Sequence, residues 1–282
     1  MATVRKNGEE VRVFLQWLQE STGVTSFRQL KIENIDAYLA CRFPHLRRAT
    51  RHGVCTSLRS FFRYLQTAKL IDRDLAAAVS SPSLYQFEDI PRAFTQAQID
   101  TVLATTRRDR SQTGLRDYAM LLMLATYGLR SGEVLRLRLE DIDWREERLR
   151  IRQSKTGVES FLPLVPPVGE ALLKYLKDGR PETDRREVFL RVRAPFTSLA
   201  GGGSLAGIVV RRLRESGIEV KGRHGAHAFR FARALSMLRA SVSPKWIGDV
   251  LGHRSSSSTQ TYLRLATEDL RALSLEIPGG RR

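Results

Sequence analysis

The sequence contains a set of side chains whose types suit the chemistry of a phosphate ester. In chain order, the set is Arg130, Lys155, His227, Arg230, His253 and Tyr262. Guanidinium groups bind phosphate oxygens in pairs, an amine or imidazole can donate or accept a proton, and a tyrosine hydroxyl can act as a nucleophile. Metal-free cleavage of a phosphodiester requires a nucleophile, cations for the non-bridging oxygens and a proton donor for the leaving oxygen.

The spacing of these residues is as informative as their types. His227 and Arg230 are three residues apart in a segment with helical periodicity, so their side chains share one face of the predicted helix. His253 follows Leu251-Gly252, and Tyr262 comes nine residues after His253. Each pattern alone is common by chance, but the full series in this order is a strong signal.

This series resembles the signature of the tyrosine recombinases, the integrase family of site-specific DNA recombinases. The motifs cover about residues 95–265. The resemblance implies that Tyr262 attacks the scissile phosphate, forming a 3′-phosphotyrosyl link and releasing a 5′-hydroxyl. It also implies that Arg130 and Arg230 bind the phosphate and that Lys155 donates a proton to the 5′-oxygen.

The other site residues have supporting roles in this resemblance. His227 and His253 would donate hydrogen bonds to the phosphate or assist proton transfer from the tyrosine, as an imidazole that titrates near neutrality can. Glu133 follows Arg130 by three residues, where the family also has an acid, and we expect it to hold that arginine. Phe231 stands where the family often has a further histidine, which removes one candidate base.

The length of 282 residues allows two domains of ordinary size. We predict that the elements that position these residues form two domains. Helical periodicity recurs in the first, at residues 9–20, 32–39 and 50–66 and again after Asp72. We therefore predict a helical domain over residues 1–80, which resembles the family's core-binding domain. Residues 81–94 carry two prolines and no helical period, which predicts a linker. Residues 95–282 would form the catalytic domain, with a tail from about 265.

The second domain has the pattern of an α+β unit. Thr95 and Gln98 form a capping box, DYAMLLMLATYGL is apolar all round and predicts a buried helix, and a short helix starts near Arg130. Further helices are predicted at residues 166–179, 205–216, 226–239, 243–251 and 256–273, with a turn at 201–203. The segments LEDIDW, RLRIRQS and SFLPL predict a small antiparallel sheet whose hairpin tip, near residues 155–158, carries Lys155.

The predicted fold class is thus mainly α with a small antiparallel β-sheet. The resemblance implies a two-domain DNA clamp, in which the N-terminal helical bundle and the α+β catalytic domain close on the duplex. The apolar ALSLEI stretch near the C-terminus would suit docking on a neighbouring protomer or on its own domain.

The net charge of +17 indicates a polyanionic partner, with nucleic acid favoured over an acidic membrane surface. Of the basic residues, 39 are Arg and 8 are Lys, a composition that suits phosphate recognition. In the first domain, the candidate DNA contacts lie on or before the third helix: Arg47, Arg48, Arg51, Arg59 and Arg63. A solvated charged face is the alternative reading of this group.

The resemblance implies double-stranded DNA with inverted half-sites as the partner. It further implies a homotetramer, or a heterotetramer with a related recombinase, on two duplexes. No Walker motif and no acidic cluster indicates ATP or Mg²⁺, so we expect no cofactor and no metal. The chain has no apolar segment typical of a signal peptide or a membrane span, which predicts a cytoplasmic protein without a membrane partner, of prokaryotic or mobile-element origin.

Two alternatives remain open at this point. A type IB topoisomerase shares this chemistry but relaxes supercoils as a monomer. A catalytically silent DNA-binding or architectural protein could keep the fold without the activity, although all six catalytic positions are filled.

Overall fold

The structure is a computed structural model that describes residues 2–83, 93–152, 159–199, 201–219 and 225–252. It divides into two compact units, Met1–Ile90 and Pro91–Arg282. Most of the predicted linker, residues 81–94, lies outside the described residues. The two units are therefore described separately.

The first unit consists of helices packed around one apolar core. The described helices are α1 (Ala2–Thr22), α2 (Ile32–Arg42), α3 (Arg48–Thr67) and the short α4 (Leu75–Ala78). Phe14 of α1, Tyr38 of α2 and Phe62 of α3 are fully buried, and Phe14 contacts both other rings edge-on. Such pairs of aromatic rings add stabilisation beyond the area that they bury. The four predicted helices are confirmed, and α1 extends well beyond its predicted limits.

One side of α3 binds the chain as it leaves this unit. Arg59 Nη2 donates to the carbonyl oxygen of Val79 at 2.7 Å, Cys55 Sγ donates to that of Ser80 at 3.2 Å, and His52 Nδ1 pairs with the Ser81 hydroxyl at 3.0 Å. These three side chains lie on successive turns of α3. The segment 79–81 has no regular secondary structure, and side chains of α3 hold it in place.

The second unit is built around a buried central helix. Its described helices are α5 (Gln96–Arg108), α6 (Gln112–Tyr127), α7 (Ser131–Leu135), α8 (Pro166–Asp178), α9 (Gly201–Glu215), α10 (Ala226–Arg239) and α11 (Pro244–Leu251). The middle of α6 is buried, with Met120, Leu121 and Leu124 fully inaccessible. Thr95 and Gln98 form the predicted capping box of α5, with hydrogen bonds of 3.2 and 3.0 Å.

The prediction of a turn at residues 201–203 is wrong, because α9 begins at Gly201. Glycine is a poor helix former, which favoured the turn. The apolar face of the helix outweighs this preference, since Leu205 and Val209 are fully buried in the core. Of the other predicted helices, 256–273 lies outside the described residues.

The predicted antiparallel sheet is confirmed. It has the order β1 (Ile142–Asp143), β2 (Arg148–Arg152) and β3 (Glu159–Pro163). Leu149 and Ile151 of β2 point into the core, whereas Arg148, Arg150 and Arg152 lie on the outer face. The register pairs Arg152 with Glu159, so these two residues close the described base of the β2–β3 hairpin.

A buried ion-pair network ties α6 to α9. Asp117 of α6 is fully buried, and its oxygens accept hydrogen bonds from Arg116, Arg211 and Arg212. Arg116 also donates to the carbonyl of Leu190 at 3.1 Å. A buried carboxylate requires such complete pairing, because desolvation would otherwise favour its protonated form.

The described part of the chain thus has the predicted fold class, helical with a small antiparallel sheet. No helix among the described residues combines the length and the apolar character that crossing a membrane demands.

Candidate active site

The candidate site forms where two helices end. Gly128 ends α6 and Gly252 ends α11, and both have left-handed backbone conformations, with φ of 65° and 64°. The last carbonyl groups of a helix have no partner within the helix and carry partial negative charge. Cationic side chains are therefore favoured at both ends.

Arg130 lies just after the first of these helix ends and caps α7. Its Nη2 donates to the carbonyl oxygen of Gly252 at 2.8 Å, and its Nη1 donates to Glu133 Oε1 at 2.8 Å. About a third of the side chain is exposed. The guanidinium is thus held by two partners, while part of the side chain remains exposed.

Glu133 holds Arg130 through two contacts. Besides the side-chain pair, its Oε2 accepts a hydrogen bond from the backbone N–H of Arg130 at 2.8 Å. Its side chain is 3% exposed, and both of its oxygens are occupied by Arg130. The expected supporting contact of Glu133 is therefore present, and the carboxylate lies behind the arginine.

Arg230, in the first half of α10, is almost completely buried, with 2% of its surface exposed. Its Nη1 donates to the carbonyl oxygen of Gly128 at 2.9 Å, and its Nη2 donates to that of Leu251. A single guanidinium therefore binds the C-terminal ends of both α6 and α11. Arginine suits this position because its planar fork donates in two directions at once.

His227 lies three residues before Arg230 on α10 and reaches the surface. Its ring packs edge-on against Phe231, with 4.8 Å between the ring centroids. The pKa of His227 is lowered, first because the surrounding protein removes part of its hydration and then because the charges of Arg230 and Arg130 oppose protonation. All three side chains thus belong to one electrostatic site.

Three of the six predicted catalytic residues lie outside the described residues: Lys155, His253 and Tyr262. Their neighbours in sequence do belong to the described part. Strands β2 and β3 flank the segment that contains Lys155, and α11 ends at the residue before Gly252, directly ahead of His253. The predicted roles of these three residues remain predictions.

The arginines predicted to contact DNA from the first unit divide into two groups. Arg51 Nε donates to the carbonyl of Leu46 at 2.8 Å, and Arg59 binds the carbonyl of Val79, so both have partners within their own unit. Their predicted polar face is therefore only partly a solvent face. The other three are exposed: Arg47, Arg48 and Arg63.

The sequence reasoning placed helix ends at Gly128 and Gly252 but missed their part in the site. A glycine directly after a helical pattern is a recognised C-terminal signal. The carbonyl groups of residues 128, 251 and 252 could not be identified as arginine partners, because every residue has a carbonyl group. Among the described residues, no cluster of three or more His, Cys, Asp or Glu side chains could hold a metal ion.

Comparison with known proteins adds to this geometry. The model of the phage integrase family matches residues 92–269. The integrase/recombinase candidate y4gC of Sinorhizobium fredii is 54% identical over 190 residues, covering 67% of this chain and 97% of that protein. Tyrosine recombinase XerD of Proteus mirabilis is 30% identical over 269 residues, covering 93% of this chain and 83% of XerD. Another Sinorhizobium fredii relative, y4rA, is longer, and the chain spans 64% of its length.

A solved structure shares the fold. The lambda integrase tetramer bound to a Holliday junction aligns with a TM-score of 0.70 and 19% sequence identity, covering 93% of this chain and 71% of the lambda chain.

Proposed function

We propose that the protein is a site-specific DNA recombinase that cleaves and rejoins strands through a 3′-phosphotyrosyl intermediate. The proposal starts from the fact that the chain belongs to the phage integrase family of tyrosine recombinases. The reaction would serve DNA integration, excision or resolution. The observation that carries this proposal is the joint placement of Arg130, Arg230 and His227. Two guanidiniums whose charges oppose protonation of one imidazole suit a site for a single phosphate group.

In this proposal, Arg130 and Arg230 bind the non-bridging oxygens of the scissile phosphate. Charge grows on these oxygens in the transition state, and fixed cations stabilise it without reorganising. Both arginines are held by backbone carbonyls and, for Arg130, by Glu133. The cost of ordering them is therefore met when the protein folds and not when DNA binds.

His227 is the proposed hydrogen-bond partner of the phosphate or acceptor of the tyrosine proton. Its lowered pKa favours the neutral ring near pH 7, and a neutral ring can accept a proton. Tyr262 would attack the phosphorus, and Lys155 would protonate the leaving 5′-oxygen. His253 would complete the hydrogen bonds to the phosphate.

The proposed partner is double-stranded DNA with inverted half-sites, bound by a homotetramer or by a heterotetramer with a related recombinase. The lambda integrase structure, a tetramer bound to a Holliday junction, supports this assembly. We propose that the protein acts in the cytoplasm, where its bacterial relatives would meet DNA. The phosphotyrosyl bond conserves the energy of the diester, so the proposed reaction needs no ATP.

A covalent-capture experiment tests this function. The protein is incubated with a library of duplexes that carry randomised inverted half-sites around a nicked spacer, from which the cleaved fragment diffuses away. DNA that stays attached to the protein in SDS is recovered and sequenced. We expect enrichment of a pair of inverted half-sites, attached through a 3′-phosphate, and no attachment with Tyr262→Phe.

The same selected site separates the alternatives. Recombinant products from two duplexes that carry the site support a recombinase. Relaxation of supercoils without sequence preference or recombinant products would instead indicate a topoisomerase. If the wild type captures no duplex covalently, the same library is selected for non-covalent binding instead, and specific binding there would indicate a silent DNA-binding protein.

A further inference from the structure

A buried carboxylate lies beside the strand that leads to Lys155. Asp141 is 2% exposed and stands at the end of a short 3-10 turn, Leu139–Asp141, just before β1. Its Oδ2 accepts a hydrogen bond from the backbone N–H of Arg138 at 3.0 Å, which fixes the carboxylate to its own turn. Its Oδ1 faces the outer side of the sheet.

That second oxygen holds two arginines of β2. Arg150 Nε and Arg152 Nη2 each lie 3.0 Å from Asp141 Oδ1. The two arginine side chains are partly exposed, whereas the carboxylate between them is buried. The carboxylate of each ion pair is therefore shielded from solvent. Ion pairs of this kind restrict side chains more than fully exposed pairs do.

Arg152 also contacts the opposite strand. It is the register partner of Glu159, and its Nε lies 3.4 Å from Glu159 Oε1. Among the described residues this Nε has no hydrogen-bond partner, so the contact to Glu159 is electrostatic. Asp141, Arg152 and Glu159 therefore form a chain of charges across the described base of the β2–β3 hairpin.

We propose that Asp141 is a positioning residue for Lys155 and that it acts through Arg152. Lys155 follows Arg152 by three residues in the sequence, and Arg152 and Glu159 are the last described residues on either side of the segment that contains it. By fixing Arg152 on one strand and, through it, Glu159 on the other, Asp141 would hold the two ends from which this segment starts. The proposal rests on the proposed function, in which Lys155 is the proton donor.

The step that Asp141 affects is the departure of the 5′-oxygen. The phenolic oxygen of Tyr262 forms a bond to phosphorus and gives its proton to a base, while the bond from phosphorus to the 5′-oxygen breaks. The ammonium group of Lys155 donates a proton to that oxygen, which leaves as a hydroxyl. A displacement of the donor by about 1 Å can cost about 100-fold in rate.

Replacing the leaving oxygen by sulfur tests this role directly. A thiol has a pKa of about 8.5, so a 5′-thiolate leaves without prior protonation, whereas an alkoxide needs the proton. Two duplexes are compared, identical in the selected site except for a 5′-bridging oxygen or a 5′-bridging sulfur at the scissile phosphate. The readout is the rate of covalent adduct formation at saturating protein.

We expect Asp141→Asn to slow adduct formation with the oxygen duplex by about 10- to 100-fold and to leave the rate with the sulfur duplex within about 2-fold of wild type. Lys155→Ala should show the same pattern with a larger defect. Arg130→Ala should be slow with both duplexes, because the phosphate oxygens need its charge in either case.

Asp143→Asn is the matched control. Asp143 pairs with Arg148 on the same face of the same sheet, but at the end of β2 opposite to Arg152. Its variant should react like wild type with both duplexes. Arg152→Gln is the second test variant, because it leaves Asp141 bound to Arg150 and leaves no buried charge without a partner.

The outcomes are distinct. The proposal is overturned if both Asp141→Asn and Arg152→Gln form the adduct slowly with the oxygen duplex and remain equally slow with the sulfur duplex. It is also overturned if both variants react as fast as wild type with the oxygen duplex. If Asp141→Asn unfolds, as a lost thermal transition would show, Arg152→Gln decides alone. Absence of any adduct from the wild type would contradict the proposed function itself.

Discussion

At the scale of single residues, the site depends on backbone oxygens as much as on side chains. Arg130 and Arg230 bind carbonyl groups of Gly252, Gly128 and Leu251, at the ends of two helices. The unpartnered carbonyls of a helix end attract a cation, and the arginines gain a fixed orientation in return. Their preorganisation is thus a consequence of helix geometry.

His227 provides a pH-dependent prediction. Its pKa in the folded protein is lowered, so between that pKa and the ordinary value of about 6.5 the unfolded chain binds more protons than the folded one. The free energy of unfolding should therefore fall as the pH falls through this window. Urea titrations at a series of pH values should show the wild type losing stability relative to His227→Gln as the pH falls below about 6.5.

A difference between wild type and His227→Gln that stays constant with pH would show that the folded protein does not oppose protonation of His227. Proton NMR of the ring gives the same pKa directly.

The sequence predicted the types of the site residues but only some of their contacts. The resemblance implied that Glu133 holds Arg130, because the family also has an acid at this place, and the i, i+3 spacing at a helix start allows the contact that is observed. The bonds from Arg230 to residues 128 and 251 span 102 and 21 positions, and no local pattern encodes them. Such contacts depend on how α6, α10 and α11 pack.

At the scale of elements, α3 shows that residues on one helix face can have different roles. Residues 51, 59 and 63 were expected to form one polar face for DNA, but Arg59 binds the chain where it leaves the unit. Periodicity identifies which residues lie on one face of a helix. It does not identify which part of that face another segment of the chain covers.

Arg59→Ala should therefore lower stability rather than only DNA affinity. The change removes a charged hydrogen bond of 2.7 Å to the carbonyl of Val79, a residue whose own side chain is buried in the core. A hydrogen bond to a charged group contributes about 1.5–3 kcal/mol, so we expect the free energy of unfolding to fall by about that amount.

Arg63→Ala is the control for this change. Arg63 lies one turn further along α3 and is exposed, so its removal should alter the free energy of unfolding by less than about 0.5 kcal/mol. Urea unfolding of both variants measures the difference. Equal stabilities would show that the bond to Val79 does not hold the exit segment.

Element types were predictable where pattern and packing agree. The alternation in β2 and the all-apolar α6 identified a strand and a buried helix. The start of α9 was missed because glycine propensity opposes the helix, and only burial of the following apolar face reverses that preference.

At the scale of the whole molecule, the count of 47 basic residues overstates the cations that are offered to DNA. Arg116, Arg211 and Arg212 surround Asp117, and the arginines of β2 pair with Asp141 and Asp143. These arginines have acidic partners within the fold. Phosphate contacts must come from the remaining exposed arginines and from the candidate site.

Salt dependence tests this division of charge. Each phosphate that a side chain neutralises adds about −0.9 to the slope of log affinity against log salt concentration. Arg47 is exposed, so Arg47→Gln should reduce the slope for the selected duplex by about 1. Fluorescence anisotropy at several salt concentrations measures it.

Arg211→Gln is the matched control, since it changes the net charge equally but removes an arginine already bound to Asp117. Its slope should equal that of the wild type. Equal losses for both variants would mean that net charge alone, and not the placement of exposed arginines, governs binding.

The two glycines at the helix ends also bear on how active relatives can be recognised in genomes. A carbonyl oxygen survives any substitution, but the left-handed backbone at Gly128 and Gly252 does not tolerate most side chains. A Cβ at Gly128 would lie 2.9 Å from the Leu251 side chain and 3.3 Å from that of Arg233. A gene that keeps every charged residue and the tyrosine, yet encodes valine or isoleucine at either glycine, should therefore be counted among decayed copies.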